Sequence, residues 1–150
     1  MNTIANHYNE FAARRDWFHQ KNSYYYSLLF KQYRYFIPPG KKVLEVGCST
    51  GDLLNAVEPQ LGVGIDLSVE SIKVAQEKYP RFKFFAGEIS QFSSAEKFDV
   101  VILSGLLGEL DDIQDFFEKL KKFCTKDTRI VIEYYSYFWQ YILKFVRKWV

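Results

Sequence analysis

"KKVLEVGCSTGDLL", Lys41 to Leu54, passes from charge through a short apolar run into glycine, cysteine and hydroxyl residues, then back to apolar residues. Val43–Val46 reads as a short buried strand closed by Gly47. Thr50 to Val57 reads as a helix with Ser49 or Thr50 as its cap. Glycines between a strand and a helix let ligand atoms approach the backbone closely. A helix start adds free N–H groups and a positive dipole end.

Strand-like and helix-like stretches alternate outward from this turn. "LGVGIDLS" gives a second strand, Gly62–Asp66. "SVESIKVAQEKY" follows with Val69, Ile72, Ala75 and Gln76 at helical spacing, and Pro80 stops it. "RFKFFAG" is a third strand, and "KFDVVILSG" a fourth, strongly apolar one. "DDIQDFFEKLKKF" is acid-started and lysine-ended, as the helix dipole favours. Asp111 and Asp112 are its candidate caps. "TRIVIEYYS" is a fifth strand. This order predicts an α/β fold, a Rossmann-like three-layer sandwich. Its mostly parallel sheet has about five strands, with helices on both faces. The continuous apolar runs Val100–Leu103 and Ile130–Ile132 predict strands buried on both sides. Three regions follow: a helical preface over 1–40, a core over 41–136 and an amphipathic helix over 137–150. A helix is expected at about Asn22–Phe36 within the preface.

Composition limits the function classes. The 150 residues suit one domain, and a hydrophobic content of 48% is enough for a real core. Twenty Lys and Arg stand against 18 Asp and Glu, so no global field argues for nucleic acid. Two cysteines in dissimilar contexts make neither a disulfide framework nor a metal set. The polar start has no signal pattern and no run reaches a spanning length, so a cytoplasmic location is the default. The 14 Phe, 11 Tyr and 3 Trp concentrate toward the two ends. They suit helices packed on a sheet, with some rings lining a ligand surface.

A parallel sheet binds ligands at the carboxyl ends of its strands, where Gly47–Gly51 lies. Asp66 ends the second strand, placed to accept hydrogen bonds from both hydroxyls of a ribose. The glycine spacing lacks the middle glycine of a dinucleotide fingerprint, and no Lys-Ser/Thr follows Gly51 as a Walker loop requires.

These residues resemble the class I S-adenosylmethionine-dependent methyltransferases. "VLEVGCSTG" is similar to their first motif. The resemblance implies that Glu45 and the loop Gly47, Cys48, Ser49, Thr50 and Gly51 hold the methionine part of the cofactor. "GIDLS" is similar to the second, with Asp66 on the ribose and Leu67 beside it. "FFAGEI" is similar to the third, with Glu88 at the adenine amino group and Ile89 beside the ring. Most relatives have Asp where Glu88 stands. "FDVVILSGLLGEL" is similar to the fourth, whose strand end, Ser104 and Gly105, lies beside the reacting sulfonium. "RRDWFHQKNSYYYSLL", "ILSGLLGELDDI" and "TRIVIEYYSYFWQYILK" resemble bacterial proteins in which such a domain is joined to a glycosyltransferase. That narrower likeness implies surface-glycan biosynthesis.

The implied reaction is methyl transfer to a small molecule or glycan precursor. Glu109, Glu133, Tyr134 and His7 are the candidate bases for an acceptor that must lose a proton. Tyr8 and Tyr24 to Tyr26 are candidates to fold over the cofactor. Cys48 is expected to pack rather than react, and Cys124 to lie in the core. No metal is expected. The alternative reading is an inactive cofactor-binding partner or regulatory module. A nucleotide-sugar or nicotinamide protein is disfavoured by the glycine spacing. The resemblance also implies that the last strands of the full family fold are missing, so that the chain is expected to be a fragment. Phe138, Ile142, Phe145 and Trp149 form one stripe suited to this chain's own sheet, a second copy or a membrane surface, and the narrower likeness implies contact with a glycosyltransferase domain.

Overall fold

The computed structural model describes residues 15–134 of the chain. His7, Tyr8 and the expected helix over 137–150 lie outside the described residues. Helices α1 (Arg15–Lys21) and α2 (Ser23–Phe36) precede β1 (Lys42–Val46). Then come α3 (Asp52–Ala56), β2 (Leu61–Asp66), α4 (Val69–Lys78), β3 (Lys83–Ala86) and β4 (Val100–Ser104). A 3-10 turn at Leu107–Glu109 leads to α5 (Ile113–Leu120), a second such turn at Lys121–Phe123, and β5 (Arg129–Glu133).

The five strands pair in parallel in the order β3-β2-β1-β4-β5. The chain grows outward from β1 through β2 to β3, then crosses back to lay β4 on the other side of β1. A crevice opens outside the carboxyl ends where the order reverses.

Side chains along a strand alternate between the two faces. Leu44, Val46, Val101 and Leu103 join one apolar cluster with Phe116 and Leu120 of α5. Val43, Val100 and Ile102 join another with Tyr33, Ile37, Leu53 and Leu54 from the α2–α3 side. Glu45 lies two residues after Val43, so an acidic side chain falls on the α2–α3 face.

Two expectations change here. Gly51, in the left-handed conformation at φ 78°, occupies the N-cap of α3, with no side-chain cap hydrogen bond. Ser49 and Thr50 therefore do not cap that helix, and the Thr50 hydroxyl donates to Asp52 Oδ2 instead. The Ile130–Ile132 run is not buried on both sides: Ile130 and Ile132 are 40% and 46% exposed. β5 pairs only with β4 and forms the outer strand of the sheet among the described residues. Continuous apolarity does not distinguish such a strand from a central one. Asp112 caps α5, accepting from the Asp115 amide at 2.9 Å, and Ser68 caps α4 through the Ser71 amide at 3.0 Å. Asp111 makes no such cap and faces the crevice instead. Among the described residues no helix is long and apolar enough to cross a membrane.

Candidate functional site

The carboxyl ends of β1, β2 and β4 form the floor of a cleft of about 560 Å³. Residues of α1 and α2, among them Arg15, His19, Tyr25 and Tyr26, line it from the other side. It brings together Glu45, Gly47, Cys48, Ser49, Thr50, Asp66, Leu67, Glu88, Ile89, Ser104 and Gly105. Glu109 and Glu133 also line it. Gly51, Tyr24 and Tyr134 do not, and Tyr24 and Tyr134 are exposed.

Gly51 has a different task. A Cβ there would lie 2.9 Å from Phe84 and 3.2 Å from Tyr79, so the missing side chain admits two rings from β3 and the end of α4. Gly47 adopts φ 80°, and a Cβ on it would meet Leu106 at an ordinary 3.4 Å. Its need for glycine is therefore mainly conformational.

The loop is held from within. Ile65 O accepts from the Gly47 amide at 2.8 Å and the Cys48 amide at 3.0 Å. The Gly51 amide donates to Cys48 O at 2.9 Å, and the Ser49 amide to Asp66 Oδ2 at 2.7 Å. The amides of these four loop residues are thus engaged by the end of β2 and by the loop itself. The turn is a rigid part of the floor.

Asp66 accepts from the Ser49 amide on Oδ2 and from the Ser68 amide, at 2.8 Å, on Oδ1. Each carboxylate oxygen has a second lone pair, so both remain available to a pair of hydroxyls. Burial pushes the Asp66 carboxyl above its ordinary value, against the lowering effect of the two amides.

Glu45 is 3% exposed, and its Oε2 has no hydrogen-bond partner. Burial raises its carboxyl well above the ordinary value. The negative charges of Asp52 and Asp66 add to this, while the Leu54 amide and Arg15 act the other way. An unpartnered buried acid is costly, and such groups concentrate where a ligand completes them.

Asp52, which sequence reading did not single out, is the meeting point of four segments. Its Oδ1 accepts from Lys78 Nζ at 2.6 Å and from the Tyr79 hydroxyl at 2.7 Å. Its Oδ2 accepts from the Thr50 hydroxyl at 2.6 Å and lies 3.5 Å from His19 Nδ1. Burial pushes this carboxyl up, but the hydrogen bonds from Lys78, Thr50 and Tyr79 outweigh it and hold it below its ordinary value. His19 also stacks on Tyr26 at 3.8 Å between ring centroids, which joins α1 to α2 above the loop.

Cys48 is buried with its thiol raised well above the ordinary value by burial and by the Glu45 and Asp66 charges, which does not suit a nucleophile. A Cβ on Gly64 would lie 2.7 Å from its Sγ, so the thiol packs over β2. On the β4 side, the Ser104 hydroxyl donates to Glu133 Oε2 at 3.1 Å, and the Gly105 amide donates to Glu133 O at 3.0 Å. Glu109 stands exposed on the 3-10 turn opposite. The exposed Glu88 accepts from the Ser90 hydroxyl at 3.1 Å, and Ile89 beside it is buried. Arg15, His19 and Asp52 were missed because their roles depend on where α1 lies.

Comparison with known proteins fits this geometry. No curated protein sequence matches the chain. The N-methyltransferase NodS from Bradyrhizobium japonicum WM9, solved with S-adenosyl-L-homocysteine, is 24% identical. The match covers 62% of this chain and 52% of that one, at a TM-score of 0.55. Coclaurine N-methyltransferase bound to N-methylheliamine and S-adenosyl-L-homocysteine is 20% identical, over 71% of this chain and 35% of that one, at 0.63. The DhpI complex with S-adenosyl-L-homocysteine is 17% identical, over 85% and 65%, at 0.72. At these identities the likeness is one of fold. The chain spans about half the length of NodS and about a third of the coclaurine enzyme. A family model described as a methyltransferase domain matches residues 37–147, nearly three quarters of the sequence, and the chain therefore belongs to that family of methyltransferase domains.

Proposed function

We propose that this chain is an S-adenosylmethionine-dependent methyltransferase acting on a small molecule or a glycan precursor. The observation that carries the reading is the pair of strand-end acids. Glu45 presents an unpartnered buried oxygen to the cleft, and Asp66 on the adjacent strand is fixed by two amides with lone pairs to spare. They suit the ammonium and the ribose of one nucleoside-linked amino acid. The similar structures solved with S-adenosyl-L-homocysteine support the same ligand. Glu88 and Ile89 would meet the adenine, with Leu67 near the ribose. Ser104 and Gly105 would face the reacting end.

When bound, S-adenosylmethionine supplies a methyl group already activated on a sulfonium, so the protein chiefly aligns and desolvates. The chain's own part would be to hold the acceptor in line with that methyl group and to keep water out. Glu109 or Glu133 takes the acceptor's proton where there is one to lose. Tyr25, Tyr26 and Phe30 on α2 supply an apolar wall for the acceptor. The glycan reading goes with the narrower sequence likeness, a cytoplasmic location, and contact with a glycosyltransferase domain or a second copy.

Ligand-induced thermal stabilisation tests this. S-adenosyl-L-homocysteine should stabilise the fold in a concentration-dependent way, by about 2.7 kcal/mol at a hundred times Kd, and so raise the melting temperature, while NAD does nothing. Asp66→Ala should weaken that binding by about 2 kcal/mol, as for a charged hydrogen-bond acceptor. Stabilisation by NAD alone would overturn the reading.

A further inference from the structure

Helix α2 is apolar on two opposite sides. Tyr26, Leu29, Phe30 and Tyr33 turn toward the cleft and the sheet. Tyr24, Leu28, Lys31 and Tyr35 recur at intervals of four, three and four residues, which sets them in one row along the other side. All four are exposed, Tyr24 by 76% and Tyr35 by 83%. Phe36 and, on α1, Trp17 are also more than half exposed, and Lys21 Nζ lies 4.6 Å from the centre of the Trp17 ring. A helix that is apolar all round suits a buried position, so the outer row calls for a cover that the described residues do not provide.

The charges decide what kind of surface suits it. Residues 17–42 carry five Lys and Arg and no Asp or Glu, whereas residues 109–118 carry five acids and no Lys or Arg. The near-neutral chain is thus electrically divided, and α2 belongs to its positive part. Lys31 stands in the outer row and Arg34 next to Tyr35, and neither forms an ion pair among the described residues. A second copy docked through the same face would bring two acid-free, positively charged faces together, which is unfavourable. Tyr and Trp interleaved with Lys and Arg instead match the boundary of a bilayer, with rings at headgroup level and cations on anionic phosphates. We propose that the outer face of α2, with Trp17 of α1, docks on an anionic phospholipid surface. The helix lies on the bilayer rather than in it, since no described helix is long and apolar enough to cross. Its inner face walls the cleft, so one helix carries the membrane contact on one side and the site on the other. The inference goes beyond the reaction proposed above and does not depend on it.

Co-sedimentation of the whole chain with vesicles decides the matter. Vesicles of phosphatidylcholine with about 30% phosphatidylglycerol should carry the chain down, vesicles of phosphatidylcholine alone should not, and binding should fall as salt rises. Lys31→Gln combined with Arg34→Gln should lower the partition coefficient by about tenfold or more. Leu28→Ser combined with Tyr35→Ser should lower it by about as much, through lost apolar contact. All four residues are exposed and none lines the cleft, so the thermal melts should match that of the unaltered chain. An unaltered chain that ignores anionic vesicles overturns the proposal without any variant, and would mean that the chain's own remaining residues or a protein cover the face. Binding left intact in both double variants would place the lipid contact outside α2 and overturn it as well. So would an unaltered dimer that turns monomeric in Leu28→Ser/Tyr35→Ser, which would make the face an interface between copies.

Discussion

At the scale of single residues, Glu45 sets stability against binding. Its carboxyl is raised well above the ordinary 4.5 by burial and by the neighbouring acids. A raised acid holds its proton more tightly in the folded chain than in the unfolded one. Its contribution to stability is therefore complete below about 4.5 and is lost as pH rises through the folded value. Glu45→Gln cannot ionise. Without ligand, that variant should become the more stable protein as pH rises above this window, by about 1 kcal/mol or more. Thermal melts of both proteins from acid to neutral pH check this, and a constant gap across that range would refute it. The same substitution should weaken S-adenosyl-L-homocysteine. Gly51 gives a second prediction at this scale. Gly51→Ala must place a Cβ 2.9 Å from Phe84 at a φ of 78°. It should destabilise the fold by about 1–3 kcal/mol in denaturant titration. The folded fraction should bind ligand with nearly unchanged affinity, because that Cβ points away from the cleft.

At the scale of elements, the sequence conveyed the floor and not the roof. Strand ends, the glycine turn and Asp66 follow from local pattern, since each depends on residues a few positions away. The partners of Gly51 are Tyr79 and Phe84, about thirty residues on, and no period in the sequence links them. The engagement of the loop amides by Ile65 O depends on β1 and β2 pairing, with Val46 opposite Ile65. The exposure of Ile130 and Ile132 depends on β5 lying outermost among the described strands, a property of the sheet. The described residues of α1 number seven, too few for periodicity to define. Its tie to Asp52 through His19 and its stacking on Tyr26 are tertiary. Hydrogen exchange tests this element directly. Amides of α1 and the first turns of α2 should exchange more slowly once S-adenosyl-L-homocysteine is bound. The β1–α3 loop, already bonded internally, should change little. Protection confined to the loop would show that α1 takes no part in binding.

At the scale of the molecule, the strand order divides the work. Glu45 and Asp66 stand on β1 and β2, and Ser104 and Glu133 on β4 and β5, with the reversal of order between β1 and β4. On the proposed reading, cofactor groups and acceptor groups therefore come from opposite halves of one sheet. Glu109→Gln and Glu133→Gln should reduce turnover of an acceptor that loses a proton by about a hundredfold, the usual scale for a general base. Both should leave S-adenosyl-L-homocysteine binding within about twofold, well under the roughly 1.4 kcal/mol that marks a tenfold change. A loss of cofactor affinity equal to the loss of turnover would refute the division.

The internal bonding of the β1–α3 loop also bears on how ligand enters and leaves. A floor whose amides are tied to β2, and whose acids sit on paired strands, has no slack with which to open. On the proposed reading, exchange of spent for fresh cofactor passes on the side of α1, which meets the floor where His19 approaches Asp52 at 3.5 Å and stacks on Tyr26 of α2. On the proposed reading, residence time is thereby set on the side of α1. The rate of release and the strength of binding can then change independently.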